Sequence, residues 1–300
     1  MVLHPQAEAA IRLWSQEPGV TDPGFDLEVQ RRRARELAVA EPREDVARVE
    51  DVDADGVRCR LYVPEPGESP TSPGTILYAH GGGFVFGDVD THDAHARRVA
   101  NRTGLAVLSV DYRRPPQHRF PAAPDDLDSA MRWLVHEGPA HAVDTGRLVG
   151  LGDSAGGNLA LVAALRNPGR LAALVLVYPF VDPRGRFPSY RDDNAGLRTA
   201  EARWYWEQYA ATPADLEDPD LGPIDSDRLG GLPPTLVIAA EHDILHDEDV
   251  ELAQRIRKAG GHVELSTYPG MIHGFWRQPA LFDAAEESLA EIAGFLRRTP

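Results

Sequence analysis

Short apolar runs alternate with helical patterns along most of this chain. We predict eight strands, near residues 46–52, 58–63, 75–79, 106–110, 148–151, 173–177, 235–240 and 262–268. Helical patterns lie near residues 92–102, 122–136, 154–165, 247–259 and 279–297. Such alternation is typical of an α/β fold with a mainly parallel sheet covered by helices on both faces. Functional groups are then expected at the carboxyl ends of the strands.

Two segments depart from this alternation. Residues 1–45 are charged and helix-prone, and residues 183–223 are rich in Pro, Asp and Arg but contain an aromatic helical pattern around Trp204. We interpret residues 1–45 as an N-terminal helical cap segment and residues 46–300 as the main domain. The stretch at about 183–223 is interpreted as a cap insertion in that domain.

Composition excludes several classes of protein. The formal net charge of −16, which the arginine-rich stretch at residues 30–37 does not offset, argues against a nucleic-acid partner. The longest apolar runs fall far short of the ~18 residues of a membrane span, and no secretion signal is visible, so we expect a cytoplasmic protein. A single cysteine, Cys59, rules out a multi-cysteine metal site. We expect neither metal nor cofactor.

The stretch Gly152-Asp153-Ser154-Ala155-Gly156 directly follows a predicted strand and opens a predicted helix. In that context G-x-S-x-G forms a sharp turn that exposes a nucleophilic serine. The turn needs glycines because the backbone passes close to its neighbours. Ser154 is therefore the candidate nucleophile, and the start of the helix brings the Ala155 N–H close to it.

A second glycine-rich motif, His80-Gly81-Gly82-Gly83-Phe84, follows another predicted strand end. Adjacent glycines let two backbone N–H groups converge on one point, which is how such loops stabilise an oxyanion.

A serine hydroxyl needs a histidine base, and the histidine needs a carboxylate to fix its tautomer. His273 lies in a predicted loop after the last strand, and Asp243 stands just after the strand near 235–240. Asp247 and Glu248 are rival acids, but they begin a helix, where acids commonly favour the helix dipole. The order Ser154, Asp243, His273 is the one found in α/β-hydrolases.

Together these motifs resemble the hormone-sensitive-lipase-like group of α/β-hydrolase esterases, over about residues 45–298. Further markers are Asp111-Tyr112-Arg113, Gly157-Asn158 and Tyr268 to Phe275. The resemblance implies the α/β-hydrolase fold, a helical cap and cofactor-free hydrolysis of carboxylic esters with short acyl chains. It also implies an oxyanion hole made by the amides of Gly82, Gly83 and Ala155, and a homodimer paired through the edge of the last strand. A monomer is the alternative.

We expect four residues to contact the substrate: Phe84, Asp153, Trp204 and Phe275. Bulky aromatic residues near one entrance predict a short pocket, which suits short- to medium-chain acyl esters. The segment 113–121 departs from the family pattern, because Arg114, Pro115 and Gln117 stand where leucine, alanine and glutamate are usual. Gln117 cannot supply the usual carboxylate. Any salt bridge built on that acid should be absent or rebuilt.

Two other functions remain open at this stage. The same three residues could hydrolyse an amide or N-acyl group, since acyl-enzyme chemistry does not specify the leaving group. A non-catalytic ligand receptor on this fold is the second alternative, and the presence of His273 argues against it.

Overall fold

The computed structural model describes residues 2–65, 74–191 and 196–299. Its eight strands are β1 Arg48–Ala54, β2 Val57–Val63, β3 Thr75–Ala79, β4 Ala106–Val110, β5 Leu148–Asp153, β6 Ala173–Val177, β7 Thr235–His242 and β8 Val263–Ile272. Its α-helices are α1 Pro5–Trp14, α2 Leu27–Ala40, α3 Asp93–Thr103, α4 Ala122–Glu137, α5 Ala155–Arg166, α6 Thr199–Tyr209, α7 His246–Lys258 and α8 Ala284–Arg298.

The strands form one sheet in the order β1-β2-β4-β3-β5-β6-β7-β8. β1 and β2 pair antiparallel, β2 pairs antiparallel with β4, and the other neighbours are parallel. The predicted mainly parallel eight-stranded α/β fold is confirmed. The parallel strands point the same way, so the loops after β3, β5, β6, β7 and β8 meet at one edge.

The central strands are buried on both faces, because successive side chains point to opposite sides of the sheet. In β3, Leu77 and Ala79 pack into one core with α4, α5 and α7, while Ile76 and Tyr78 pack into a second core with α1, α3 and α8. This double burial explains why the strands are continuous apolar runs rather than alternating ones.

β8 differs from its predicted form, since it continues through Pro269 and Gly270 to Ile272. The last strand was predicted to end near residue 268, with the residues up to His273 in the loop that follows it. β8 lies at the edge of the sheet, where proline is tolerated. The pairing with β7 shifts register between Ala240 and His242, and the Gly270 N–H donates to the Glu241 carboxylate at 2.8 Å. The strand therefore runs up to His273.

The last helix also begins later than predicted, at Ala284 rather than near residue 279. The residues before it form a turn in which the N–H groups of Leu281 and Phe282 both donate to the Gln278 carbonyl at 2.9 Å. This turn buries Phe282 against Trp14 and Phe275.

Candidate active site

Ser154 lies in the sharp turn between β5 and α5. Its backbone has φ 54° and ψ −122°, a strained conformation for any residue with a side chain. The turn is held because the Ser154 N–H donates to the Val177 carbonyl at 2.9 Å. Side chains are excluded on either side: a Cβ at Gly152 would collide with the Gly156 carbonyl, and one at Gly156 with the Ala79 carbonyl. The two glycines thus allow α5 to approach the sheet closely.

His273 and Asp243 reach Ser154 from the ends of β8 and β7. The Ser154 Oγ lies 3.0 Å from His273 Nε2, and His273 Nδ1 lies 2.6 Å from Asp243 Oδ2. With its proton on Nδ1, the imidazole donates to Asp243 and leaves Nε2 to accept the serine proton. The Asp243 side chain is fully buried, and its other oxygen accepts the Leu245 N–H at 3.0 Å. The three predicted residues are therefore brought together.

The rival acids Asp247 and Glu248 serve other partners. Asp247 accepts the Ser189 N–H at 2.9 Å. Glu248 is buried and accepts from the Val181 N–H and the Tyr190 hydroxyl, both at 2.8 Å. Burial raises the pKa of the Glu248 carboxyl well above its usual value. Both acids thus attach the segment after β6 to α7.

The glycine loop after β3 presents free amides beside Ser154. Gly82 and Gly83 have φ values of 119° and 58°, and the Phe86 N–H closes the turn on the Gly82 carbonyl at 2.7 Å. Within the described part of the chain, the N–H groups of Gly82, Gly83 and Ala155 have no hydrogen-bond acceptor. Gly82 and Gly83 line the same cavity as Ser154. Such unpaired donors are suited to binding an oxyanion.

Asp153 connects this loop to the strand that carries Ser154. One carboxylate oxygen accepts both the Gly81 N–H and the Tyr78 hydroxyl at 3.0 Å.

The buried His80 ring stacks against Tyr112 and His92, with centroids 4.3 and 4.7 Å away. Burial lowers the pKa of His80 to about 3, so this imidazole is neutral at neutral pH. The loop therefore rests on a neutral aromatic stack.

Arg31 of α2 supports the far side of the same loop. Its guanidinium donates to the Val85 carbonyl at 2.8 and 3.2 Å and to the Pro115 carbonyl at 2.5 Å. It also reaches the Gln117 side-chain oxygen at 3.3 Å and pairs with Glu28 at 2.9 Å. The acid expected at position 117 is thus replaced by a neutral acceptor, and Glu28 supplies the carboxylate. Burial lowers the pKa of Arg31.

A cavity of about 270 Å³ opens onto Ser154 and His273. Its lining residues are Trp14, Gly82, Gly83, Asp153, Ser154, Tyr178, Phe180, Gly196, Leu197, Tyr205, His273, Gly274, Arg277 and Gln278. Of the four predicted substrate contacts, only Asp153 is among them.

The other three predicted contacts lie elsewhere, which corrects that interpretation. Phe84 is fully buried and stacks on Tyr209, with ring centroids 3.9 Å apart. Phe275 is buried on the other face of the sheet, in the core with α1, α3 and α8. Trp204 packs edge-on against Phe25 at 5.9 Å. A residue next to a motif in the sequence need not face the site: the Phe84 side chain lies in the core below the glycine loop's cavity wall rather than in that wall.

Several lining residues were missed. Tyr178 and Phe180 follow the end of β6, so the strand-end rule could have found them. The Tyr178 ring lies 4.6 Å from the His273 ring. Trp14 and Leu197 come from segments whose packing has no local sequence signal. Among the described residues, no group of His, Cys, Asp or Glu is arranged to hold a metal ion.

Known proteins place the chain in a family. A model of the α/β-hydrolase fold matches residues 76–277. The chain is 37% identical over 246 residues to an ethyl acetate hydrolase of Pseudomonas putida, covering 80% of this chain and 77% of that protein. It is 32% identical to the carboxylesterase NlhH of Mycobacterium tuberculosis over an aligned length of 313, which covers 99% of this chain and 97% of that protein.

Solved structures agree with these sequence matches. A hyperthermophilic esterase from Pyrobaculum calidifontis superposes with a TM-score of 0.90 at 34% identity, covering 99% of both chains. The chain belongs to the α/β-hydrolase family, in its group of hormone-sensitive-lipase-like esterases. The protein is a carboxylic ester hydrolase. No helix in the described ranges is long and apolar enough to cross a membrane.

The Arg31 contacts generate a prediction. Replacing Arg31→Ala should lower kcat for a short ester by about tenfold or more with a smaller effect on KM, because the loop bearing the free amides loses its outer support. Arg31→Lys should recover part of the loss. The matched control is Arg32→Ala on the same helix, whose side chain is 67% exposed. Equal losses in Arg31→Ala and Arg32→Ala would contradict a specific role for Arg31.

Proposed function

We propose that Ser154, His273 and Asp243 form a catalytic triad that hydrolyses carboxylic esters through an acyl-enzyme. The observation that carries this proposal is the pair of hydrogen bonds at 3.0 and 2.6 Å that joins the three side chains in series. Burial of the Asp243 side chain strengthens its hold on the imidazole, because water cannot compete for the carboxylate. A ligand receptor would not require this intact series.

In the proposed mechanism, Ser154 Oγ attacks the ester carbonyl carbon while His273 Nε2 takes the serine proton. The carbonyl oxygen becomes an oxyanion and accepts hydrogen bonds from the Gly82, Gly83 and Ala155 amides. As the tetrahedral intermediate collapses, His273 returns the proton to the alcohol that leaves. A water molecule, deprotonated by His273, then attacks the acyl-enzyme and releases the acid and free Ser154.

We also propose that residues 1–45 and the insertion at about 183–223 form a cap over this cavity. Support comes from Trp14 at the end of α1 and from Leu197 and Tyr205 of the insertion, which line the cavity. Residues 192–195 of that insertion lie outside the described residues. A cap made of two chain segments would close the cavity from above and limit its volume.

Pairing of two copies through the β8 edge stays a prediction, as does a cytoplasmic location. The His4 N–H donates to the Gly270 carbonyl near the end of β8, but within the described residues no strand pairs with the outer side of β8, which ends the sheet. Such an edge can pair with another strand. Light scattering of the purified protein measures the assembly directly.

The role of Ser154 has a direct test. Ser154→Ala should reduce ester hydrolysis by on the order of 10⁴-fold or more, since no other group would form the acyl-enzyme. An organophosphate should label the wild-type protein once, at Ser154, and leave the variant unlabelled. Retention of a tenth of the activity by Ser154→Ala would rule out this nucleophile. Matched ester and anilide substrates distinguish ester from amide hydrolysis.

The assignment of the acid is tested by two matched substitutions. Asp243→Asn should lower kcat by on the order of 10³- to 10⁴-fold, because only Asp243 holds the productive His273 tautomer. Asp247→Asn should lower kcat far less. Asp247→Asn keeps an acceptor for the Ser189 N–H and serves as the control. The reverse order of losses would mean that the acid is wrongly assigned.

We propose a preference for short- to medium-chain acyl groups. The cavity of about 270 Å³ is below the usual size of pockets for drug-sized ligands, and Tyr178, Phe180 and Tyr205 contribute to its wall. Each buried methylene adds roughly 0.8 kcal/mol until the cavity is filled.

A p-nitrophenyl ester series tests this preference. We expect kcat/KM to rise from acetyl to about butanoyl or hexanoyl, then to fall by at least roughly tenfold at dodecanoyl, because longer chains must extend into solvent or clash. Values still rising at dodecanoyl would be incompatible with a short cavity.

A further inference from the structure

Arg277 is an exception among the arginines of this protein. In the ranges 2–65, 74–191 and 196–299, every other arginine that is shielded from solvent has an ion pair or a hydrogen bond. Arg277 is half-buried, yet no carboxylate lies within 4.0 Å of it and it donates no hydrogen bond. Its Nε is fully buried and lacks an acceptor. A sheltered guanidinium without a partner is costly, which suggests that its partner is a ligand.

Arg277 lies in the wall of the substrate cavity, together with Ser154 and His273. Arg277 ends a short 3₁₀ turn, Phe275–Arg277, that follows His273 by one residue. Phe275 and Trp276 are both fully buried and hold this turn in the core. Arg277 is therefore attached to a rigid element beside the reacting groups.

Among the described residues near Arg277, none of the charged or titratable groups forms an ion pair with its guanidinium. Asp153 is the acid in the same cavity wall, and one of its oxygens already accepts from Tyr78 and Gly81. Burial raises the pKa of Asp153, and the Arg277 charge is the strongest opposing influence on it. The buried His80, His92 and His95 also face this region, and burial lowers the pKa of all three, so they are neutral at neutral pH.

We propose that Arg277 binds an anionic group of the substrate, so that the site favours carboxylic esters that carry a free carboxylate, such as monoesters of short dicarboxylic acids. This inference rests on the proposed function, because it assigns the substrate class of the same site. A guanidinium binds a carboxylate through two parallel, charge-assisted hydrogen bonds. Binding breaks no existing ion pair, because Arg277 has none. The small cavity places the second carboxylate only a few bonds from the ester.

The test compares two esters of equal acyl length at pH 8. Monoethyl succinate carries a carboxylate where ethyl butanoate carries its terminal methyl group. For wild type, Arg277→Gln, Arg277→Lys and Arg170→Gln, the measured quantity is the ratio of kcat/KM for the anionic ester to that for the neutral ester. Arg170 is exposed and lies outside the cavity wall, so its substitution removes the same charge from the surface.

Arg277→Gln should reduce this ratio by at least about tenfold, the usual effect of losing a charge-assisted hydrogen bond. Arg277→Lys should reduce it less, and Arg170→Gln should leave it unchanged. An unchanged ratio in Arg277→Gln, or an equal fall in Arg170→Gln, would overturn the inference while the esterase proposal stands. Failure of wild type to hydrolyse either ester would instead overturn the proposed function.

A measurement on the wild-type protein covers the case in which Arg277→Gln does not fold. Succinamate and butanamide, tested as inhibitors of ethyl butanoate hydrolysis, present an amide in place of the ester and differ only in the carboxylate. Succinamate should have an inhibition constant at least about tenfold lower than that of butanamide. Equal inhibition constants would overturn the role of Arg277.

Discussion

The close contact between α5 and the sheet is the constraint on which the site depends. α5 can approach β3 and β5 only because Gly152 and Gly156 have no side chains. That approach forces Ser154 into its positive-φ turn and leaves the Ala155 amide unpaired at the start of the helix. A larger residue at either glycine would move the helix outward, and the hydroxyl would lose its position relative to His273. The packing of α5 against the sheet therefore maintains the strained backbone conformation of Ser154.

The remaining site residues are arranged around this turn by the parallel sheet. The carboxyl ends of the six parallel strands, β3 to β8, meet at one edge, and each is followed by a loop. Asp153 couples two of those loops, since it precedes Ser154 in β5 and accepts a hydrogen bond from Gly81. Arg31 couples the same glycine loop to α2. α2 and the sheet are thereby connected through the loop that presents free amides.

Agreement between sequence and structure was closest where the chain is buried on both sides. The bounds of β3, β4 and β6 match their predicted ranges. In a sheet covered by helices on both faces, a strand is a continuous apolar run, and the turn residues at its ends mark where it begins and ends. Agreement was poorer at β8. The strand was predicted to end near residue 268, but its position at the sheet edge and the register shift beside it allow it to continue through Pro269 to Ile272. The direction of Phe84 was likewise not encoded locally, because it depends on space around Tyr209.

The sequence alone determined the fold class and the residues that converge on Ser154, because strand-end motifs in a fixed order leave one arrangement open in a parallel sheet. It did not determine the cavity wall. Trp14, Tyr205 and Arg277 come from three distant segments, and only tertiary packing decides which of their side chains face the same space. The absence of a partner for Arg277 is also a property of the folded chain. A sequence shows that an arginine is present, but pairing depends on which carboxylates the fold brings within reach.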